Sequence, residues 1–383
     1  MATEDRFSSV VTGLLVCFSG SSGVFRCVSG RMQSLRSLFK PKLLTPLCLS
    51  TYVSRIRYLM KLKEDDDACR KALQTGSLLL YHKLAPLVHK NKDGICQPSC
   101  LKTSAVEHIL EKLGRDKRLV SEAVLMGCGE ANEPCFCLDV GDLQQNGVEN
   151  LCGGSFMDLQ KAFLMLRGSD ASWVAKGQAL LRWHQTHGFC SATGQPTVRN
   201  QSGSQRVCPG SGITYYPQMA PVVIVLVSDG SRCLLARQSS FPPGMYSALA
   251  GFCDLGETLE EALRRELAEE VGLEVETLQY SASQHWPFPQ SSFMVACHAT
   301  VTPDKTQLSL DKAELEDARW CSLEEILAAL QMKRPPRNFR AQPPGFWVPP
   351  AVAIANRLIQ EWADQQQLQR KLHGSRHGTQ VEQ

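Results

Sequence analysis

Apolar positions along this chain change period in a way that lays out its elements. Residues 222–227 (VVIVLV) form an unbroken apolar run and predict a buried first strand, and FMVACHATV (293–301) predicts another, with KAELEDARW approaching the next. Further upstream, LVSEAVLMGCGE followed by PCFCLDVGD reads as a pair of strands, while SFMDLQKAFLML and ASWVAKGQALLRWHQTH carry helical spacing. Between Leu259 and Val271 the period becomes four: Leu259, Leu263, Leu267 and Val271, with Ala262 beside them, form one apolar stripe facing a core. Thr258 caps this helix and Gly272, suited to a left-handed exit, closes it. A last helical stretch, AVAIANRLIQEWADQQ, puts Ile354, Leu358 and Trp362 on one face, and the polar tail from about Leu368 is expected to be loose.

The polar side of the 259–271 helix carries the chemistry. Glu266, Glu269 and Glu270 lie together there, and carboxylates three and four apart repel by a few tenths of a kcal/mol per pair, so their crowding requires a cation. Hard oxygen ligands favour magnesium or manganese. Ions held there would neutralise a pyrophosphate and acidify a water, which supplies the nucleophile for anhydride hydrolysis. Arg265 is expected to pair with Glu257 and fix the helix against its preceding loop. Glu260 and Glu261 read as an ordinary solvated face.

Gly251, Glu257, Arg265-Glu266, Glu269-Glu270 and Gly272 stand at the intervals of the Nudix signature, and the chain resembles the Nudix hydrolases. Residues 283–291, SQHWPFPQS, resemble the SQPWPFPxS array of the NADH-diphosphatase branch, with His285 where that branch usually has proline. The same branch shares the YYPQMAP stretch, Tyr215 to Pro221. The resemblance implies substrate contacts from Tyr216, Ala250, Gln284, Trp286, Phe288, Gln290, Ser291 and Ala355, the aromatic faces and amides being suited to a nucleotide. It implies metal ligation by Glu266, Glu269, Glu270 and Glu314, with Glu316 as fallback, and a catalytic role for Glu266, Glu269 and above all Glu270, which orients or deprotonates the water. His285 reads as a tolerated loop substitution rather than a base. Gly251, Glu257, Arg265 and Gly272 are structural.

In the related enzymes two CxxC pairs hold a zinc ribbon just before this region. Here Cys190 and Cys208 remain, but Thr193 and Ser211 replace the second cysteines, and two thiolates cannot satisfy a closed tetrahedral site. Zinc is therefore not expected. His184 and His187 are near enough in sequence to restore a four-ligand set, although a helix reading WHQTH more often exposes its histidines.

Composition changes the picture mainly at the front of the chain. The 383 residues, 43% hydrophobic with net charge +3, describe a soluble globular protein with no main partner among nucleic acids or membranes, and sixteen scattered cysteines fit free thiols. Between Arg6 and Lys63 there is no Asp or Glu, while Arg26, Arg31, Arg36, Lys40, Lys42, Arg55 and Arg57 are interspersed with Ser and Leu, the composition of a mitochondrial presequence. The apolar patch from Val10 to Phe18 is too short to span a bilayer. Cys96, Cys100, Cys135 and Cys137 read as incidental thiols.

The expected architecture is α/β: a Nudix fold, a mixed sheet between helices, with an N-terminal α+β domain and a degenerate zinc-ribbon linker. The expected boundaries are 1–50 presequence, 51–185 N-terminal domain, 186–213 ribbon linker, 214–340 Nudix domain with its signature at 251–273, and 341–383 C-terminal helix and tail. The implied reaction is metal-dependent hydrolysis of NADH to reduced nicotinamide mononucleotide and AMP, and of NADPH to the same product and 2′,5′-ADP, by a matrix homodimer. Two other readings stay open: removal of NAD caps from RNA, which the lack of a basic, aromatic-interleaved groove disfavours, and a decayed nucleotide-binding protein.

Overall fold

The computed structural model describes residues 47–92, 94–332 and 345–377. All but the first two of these belong to one compact unit, Leu49–Gln383. The expected presequence lies outside the described residues up to residue 46, and its expected end falls inside the first helix, α1 (Leu47–Glu64).

After α1 comes α2 (Asp66–Thr75), capped by the Asp65 carboxylate on the Ala68 amide. The amino-terminal sheet contains β1 (Ser77–His82), β2 (Ala85–Lys90), β3 (Cys96–Pro98), β4 (Cys100–Lys102), β5 (Val124–Cys128) and β6 (Pro134–Asp139), with α3 (Thr103–Lys112) between β4 and β5. There follow α4 (Gln145–Cys152), β7 (Ser155–Phe156), α5 (Leu159–Met165) and α6 (Gly168–Thr186). β1 runs antiparallel to β2 and β4 and parallel to β6; β5 and β6 are the expected antiparallel pair. Three short strands, β8 (Val198–Arg199), β9 (Arg206–Val207) and β10 (Thr214–Tyr215), form a separate small sheet.

The second large sheet holds β11 (Ala220–Ser228), β12 (Cys233–Arg237), β13 (Leu249–Phe252), β14 (Thr277–Trp286), β15 (Ser292–Thr300) and β16 (Asp317–Cys321). α7 (Leu259–Val271) joins β13 to β14, and α8 (Leu323–Leu330) and α9 (Ile354–His377) follow β16. β11 is central, antiparallel to β12 and β13 and parallel to β15 over nine residue pairs from Ala220/Ser292 to Ser228/Thr300. Its apolar run is unbroken because both faces are covered: Val223, Val225 and Val227 pack with α7, and Val222, Ile224 and Leu226 with α8 and α9. This is the expected mixed sheet between helices.

Two expectations need correction. Leu259 is 41% exposed and does not join the apolar stripe, because it stands in the first turn before the helix has reached the sheet. The tail beyond Leu368 is helical to His377 rather than loose: α9 continues outward, where Arg370 pairs with Glu324 and Gln366 donates to the Gly230 carbonyl.

Candidate active site

The site is built on α7. Thr258 accepts from the Glu261 amide, and the Glu261 carboxylate accepts in return from the Thr258 amide, so Glu261 is not merely a solvated face but closes the capping box that the Thr-x-x-Glu spacing signals. Gly272 ends the helix at φ 70°. Ala262, Leu263, Leu267 and Val271 are buried against the sheet and hold the opposite side in register. Ahead of the helix, Glu257 accepts from the Asp254 amide (2.8 Å) and from Arg265 Nε and Nη2 (2.6 and 2.9 Å), which is the expected clamp. Arg265 also donates to the Phe252 carbonyl (2.8 Å), Glu266 (2.9 Å) and Glu269 (3.0 Å). Its hydrogen bonds hold the Glu257 carboxyl down at about 2.

Gly251 on β13 pairs with Val223 and lies under the Glu266 side chain; a Cβ there would sit 1.8 Å from the Glu266 carboxyl carbon. The glycine is required by this close approach, which in turn lets Glu266 lie flat against the sheet.

Glu270 is only 2% exposed, and its Oε2 has no hydrogen-bond partner. Burial, then the neighbouring charges of Glu266, Glu314, Glu269 and Asp311, push its carboxyl up to about 8. Glu266 is raised in the same direction, chiefly by burial, against the pull of Arg265. Glu269 points outward, with its side chain 59% exposed. Glu314 and Asp311 come from the loop between β15 and β16, which is tied to the end of α7 by the Asp311 amide on the Glu270 carbonyl (3.0 Å) and the Ser309 amide on that of Val271 (2.9 Å). Four of the expected carboxylates thus share one end of α7, while Glu316 pairs with Arg237 (3.0 Å) and is engaged elsewhere. Asp311 was not foreseen; its only signal was its place in the same acidic run, DKAELED.

This donor set fits a hard divalent cation. A buried carboxylate oxygen without a partner, raised in pKa by three other glutamates, is a group whose charged form lacks compensation. Among the described residues no three His, Cys, Asp or Glu side chains form a ready cage. Arg265 engages one oxygen of Glu266 and one of Glu269, which leaves the second oxygen of each for an ion.

The expected substrate residues divide. Tyr216 is 58% exposed and Gln290 is open, and Ala250 is half-buried on β13. Gln284 spends its amide on the polypeptide, donating to the Val352 carbonyl and accepting from the Ile354 amide (both 2.8 Å), and so docks the start of α9. Trp286 and Phe288 are turned inward: with Phe163 of α5 they form three edge-to-face pairs at 5.4–5.7 Å, joining the two large domains. Ser291 hydrogen-bonds His285 Nε2 (2.7 Å), which ends β14 rather than lying in a loop and is depressed by burial. Ala355, in the first turn of α9, is 4% exposed and packed in the core.

The degenerate ribbon keeps its form. The backbone carbonyls of Cys190 and Cys208 each accept from a glycine amide (Gly194 and Gly212, both 2.8 Å), and those two glycines have φ near 70°. Thr193 Oγ1 meets the Cys208 thiol at 3.5 Å and Ser211 Oγ the Cys190 thiol at 3.7 Å, so all four ligand positions converge. The histidines do not join them. His184 is part-buried, donating to the Gly203 carbonyl (2.9 Å) and accepting from Arg206 (3.1 Å), and His187 stacks on Trp183.

The NUDIX domain matches residues 217–342, the NADH pyrophosphatase-like rudimentary NUDIX domain residues 75–183, and the NADH pyrophosphatase zinc ribbon domain residues 185–216. The chain is 53% identical over 329 residues to the human protein named NAD(P)H pyrophosphatase NUDT13, mitochondrial, covering 83% of this chain and 93% of the relative. The mouse protein of that name is 52% identical over 325 residues, with 82% and 92% covered. A human NAD-capped RNA hydrolase, NUDT12, is 41% identical over 211 residues, covering 52% of this chain and 43% of that protein.

Proposed function

The chain belongs to the Nudix hydrolases, in the NADH pyrophosphatase group, and from that premise we propose that it cleaves the pyrophosphate bond of NADH and NADPH, releasing reduced nicotinamide mononucleotide with AMP or 2′,5′-ADP. The observation that carries this reading is the buried, unpartnered Glu270 carboxylate ringed by Glu266, Glu269 and Glu314 at the end of a helix whose loop is clamped by Arg265. Nudix hydrolases depend on a divalent metal, and we take it to be magnesium or manganese; when bound, it supplies neutralisation of the pyrophosphate charge and acidification of water. Glu266, Glu269, Glu270 and Glu314 are the residues that would hold it.

Glu270 receives the proton of the attacking water. Its carboxyl is raised by burial and by the neighbouring glutamates in the metal-free site, and a bound cation would draw it back down and leave the carboxylate ionised to orient or deprotonate the water. Arg265 keeps Glu266 and Glu269 aligned and holds the loop at Phe252 in place. Tyr216, Ala250 and Gln290 are open to the nucleotide, while Gln284, Trp286 and Phe288 shape its seat from behind by fixing α9 and α5.

We place the protein in the mitochondrion, as its relatives are named, with the matrix as compartment and a homodimer as working assembly. We expect the ribbon to fold without zinc, since two of its four positions are hydroxyls; one tightly held zinc per chain in a metal analysis would overturn this. The test of the reaction is AMP release from NADH by the purified full chain with magnesium or manganese, followed chromatographically beside Glu270→Gln. Metal-dependent AMP from the wild type alone is expected, and equal release by both proteins would sink the assignment.

A further inference from the structure

Apart from the carboxylates, a cavity of about 600 Å³ opens where α6, the β10–β11 connection and the end of the SQHWPFPQS array meet. Its size is that of a nucleotide-scale ligand. Its polar lining includes Arg182, Trp183, His187 and Gln290, its apolar lining Met219 and Pro287, and no Asp or Glu lines it. Arg182 is held in place by donating to the Pro289 carbonyl and, at 3.3 Å, to Gln178. Both partners are neutral, and among the described residues no carboxylate pairs with this guanidinium, which has five N–H donors to place. Trp183 in the cavity wall is 7% exposed, and its buried Nε1–H has no partner. A wall with a guanidinium that has no counter-charge and with no acid favours a group that only accepts hydrogen bonds and carries negative charge.

The cavity shares a strand with the reaction centre. Pro221 lines it, and two residues along β11, about 7 Å, Val223 pairs with the Gly251 that supports Glu266. Resting on the reading of the chain as a dinucleotide hydrolase, we propose that this cavity seats the phosphorylated ribose by which NADPH differs from NADH, with Arg182 as the specificity-determining contact. The guanidinium fork binds the phosphate oxygens, Gln290 contributes its amide, and Met219 and Pro287 give the sugar an apolar floor. The amino-terminal domain, which supplies no carboxylate to the centre, thereby chooses among its substrates.

The test has two arms on the full chain. In steady-state kinetics with NADH and NADPH, Arg182→Gln lowers kcat/KM for NADPH about tenfold more than for NADH, with the loss carried by KM. In chelator, where turnover is absent, wild-type protein binds 2′,5′-ADP more tightly than AMP, and Arg182→Gln removes the difference. Arg182→Lys, which keeps the charge but loses the planar fork that meets the phosphate, is the second variant if Arg182→Gln fails to fold, and it is expected to weaken the preference for 2′,5′-ADP without abolishing it. If the wild type hydrolyses both coenzymes but Arg182→Gln affects them equally and leaves 2′,5′-ADP binding intact, the subsite is overturned and the proposed reaction stands. If neither coenzyme is hydrolysed yet 2′,5′-ADP binding depends on Arg182, the subsite stands and the reaction falls.

Discussion

The two large domains are wired alike. In each, a central strand (β1, β11) runs antiparallel to its successor (β2, β12) and to a strand across a loop (β4, β13), and parallel to a later one (β6, β15) that pairs antiparallel with its own predecessor (β5, β14). In each, a short strand (β7, β16) is added beside the second and two helices close the domain. The helix α3 therefore occupies the place of α7. The two differ in what they bury. On α3 the glutamates are Glu107 and Glu111, the second exposed and paired with Lys117, and its N-cap position, Lys102, makes no side-chain cap. On α7 a capping box fixes the start, and Glu266 and Glu270 are pressed into the sheet against a glycine. One topology thus appears with and without the expense of desolvating two carboxylates, and that expense marks where the chemistry lies.

The largest effect that would sharpen this contrast is on turnover. Glu270→Gln should lower kcat by about 10²–10⁴-fold, the usual scale for losing a positioned proton acceptor, whereas Glu107→Gln on the matching helix should leave AMP release unchanged. Equal losses would break the comparison. Next is Gly251→Ala, whose Cβ must displace the Glu266 carboxylate: we expect destabilisation of about 1–3 kcal/mol in a urea titration together with loss of activity.

Smaller effects separate the domains by the sign of their pH response. The Glu270 carboxyl is raised in the folded chain to about 8, so in chelator its contribution to stability is fully present below the unfolded value near 4.5 and is lost as pH rises through 8. Thermal melts from pH 5 to 9 should show this fall, and Glu270→Gln should flatten it. His184 behaves oppositely. Burial and the cationic Arg199 depress it to about 4, so its contribution is present above 6.5 and is lost as pH falls toward 4, and His184→Gln should flatten that acid limb. Both limbs carried by a single melting transition would show the two domains unfolding as one coupled unit.

What the sequence revealed follows from range. The α7 site was legible because its cap, stripe, clamp and glutamates lie within 22 residues, and helical geometry converts their spacing into position. Glu314 was reachable only through family resemblance, and Asp311 beside it was passed over because a loop has no period to place its side chains. Trp286 and Phe288 were read as nucleotide faces, and both also pack edge-to-face with Phe163, more than 120 residues earlier, a contact that no local pattern encodes. The likeness of the two domains was hidden for a related reason: strand pairing preserves topology while the surface of α3 carries none of the residues that make α7 recognisable.

Arg265 also bears on how the protein meets its metal. It binds Glu257, Glu266, Glu269 and the Phe252 carbonyl at once, so α7 has a resident counter-charge before any ion arrives. Folding need not wait for loading, and the ion need not be held tightly enough to fold the chain.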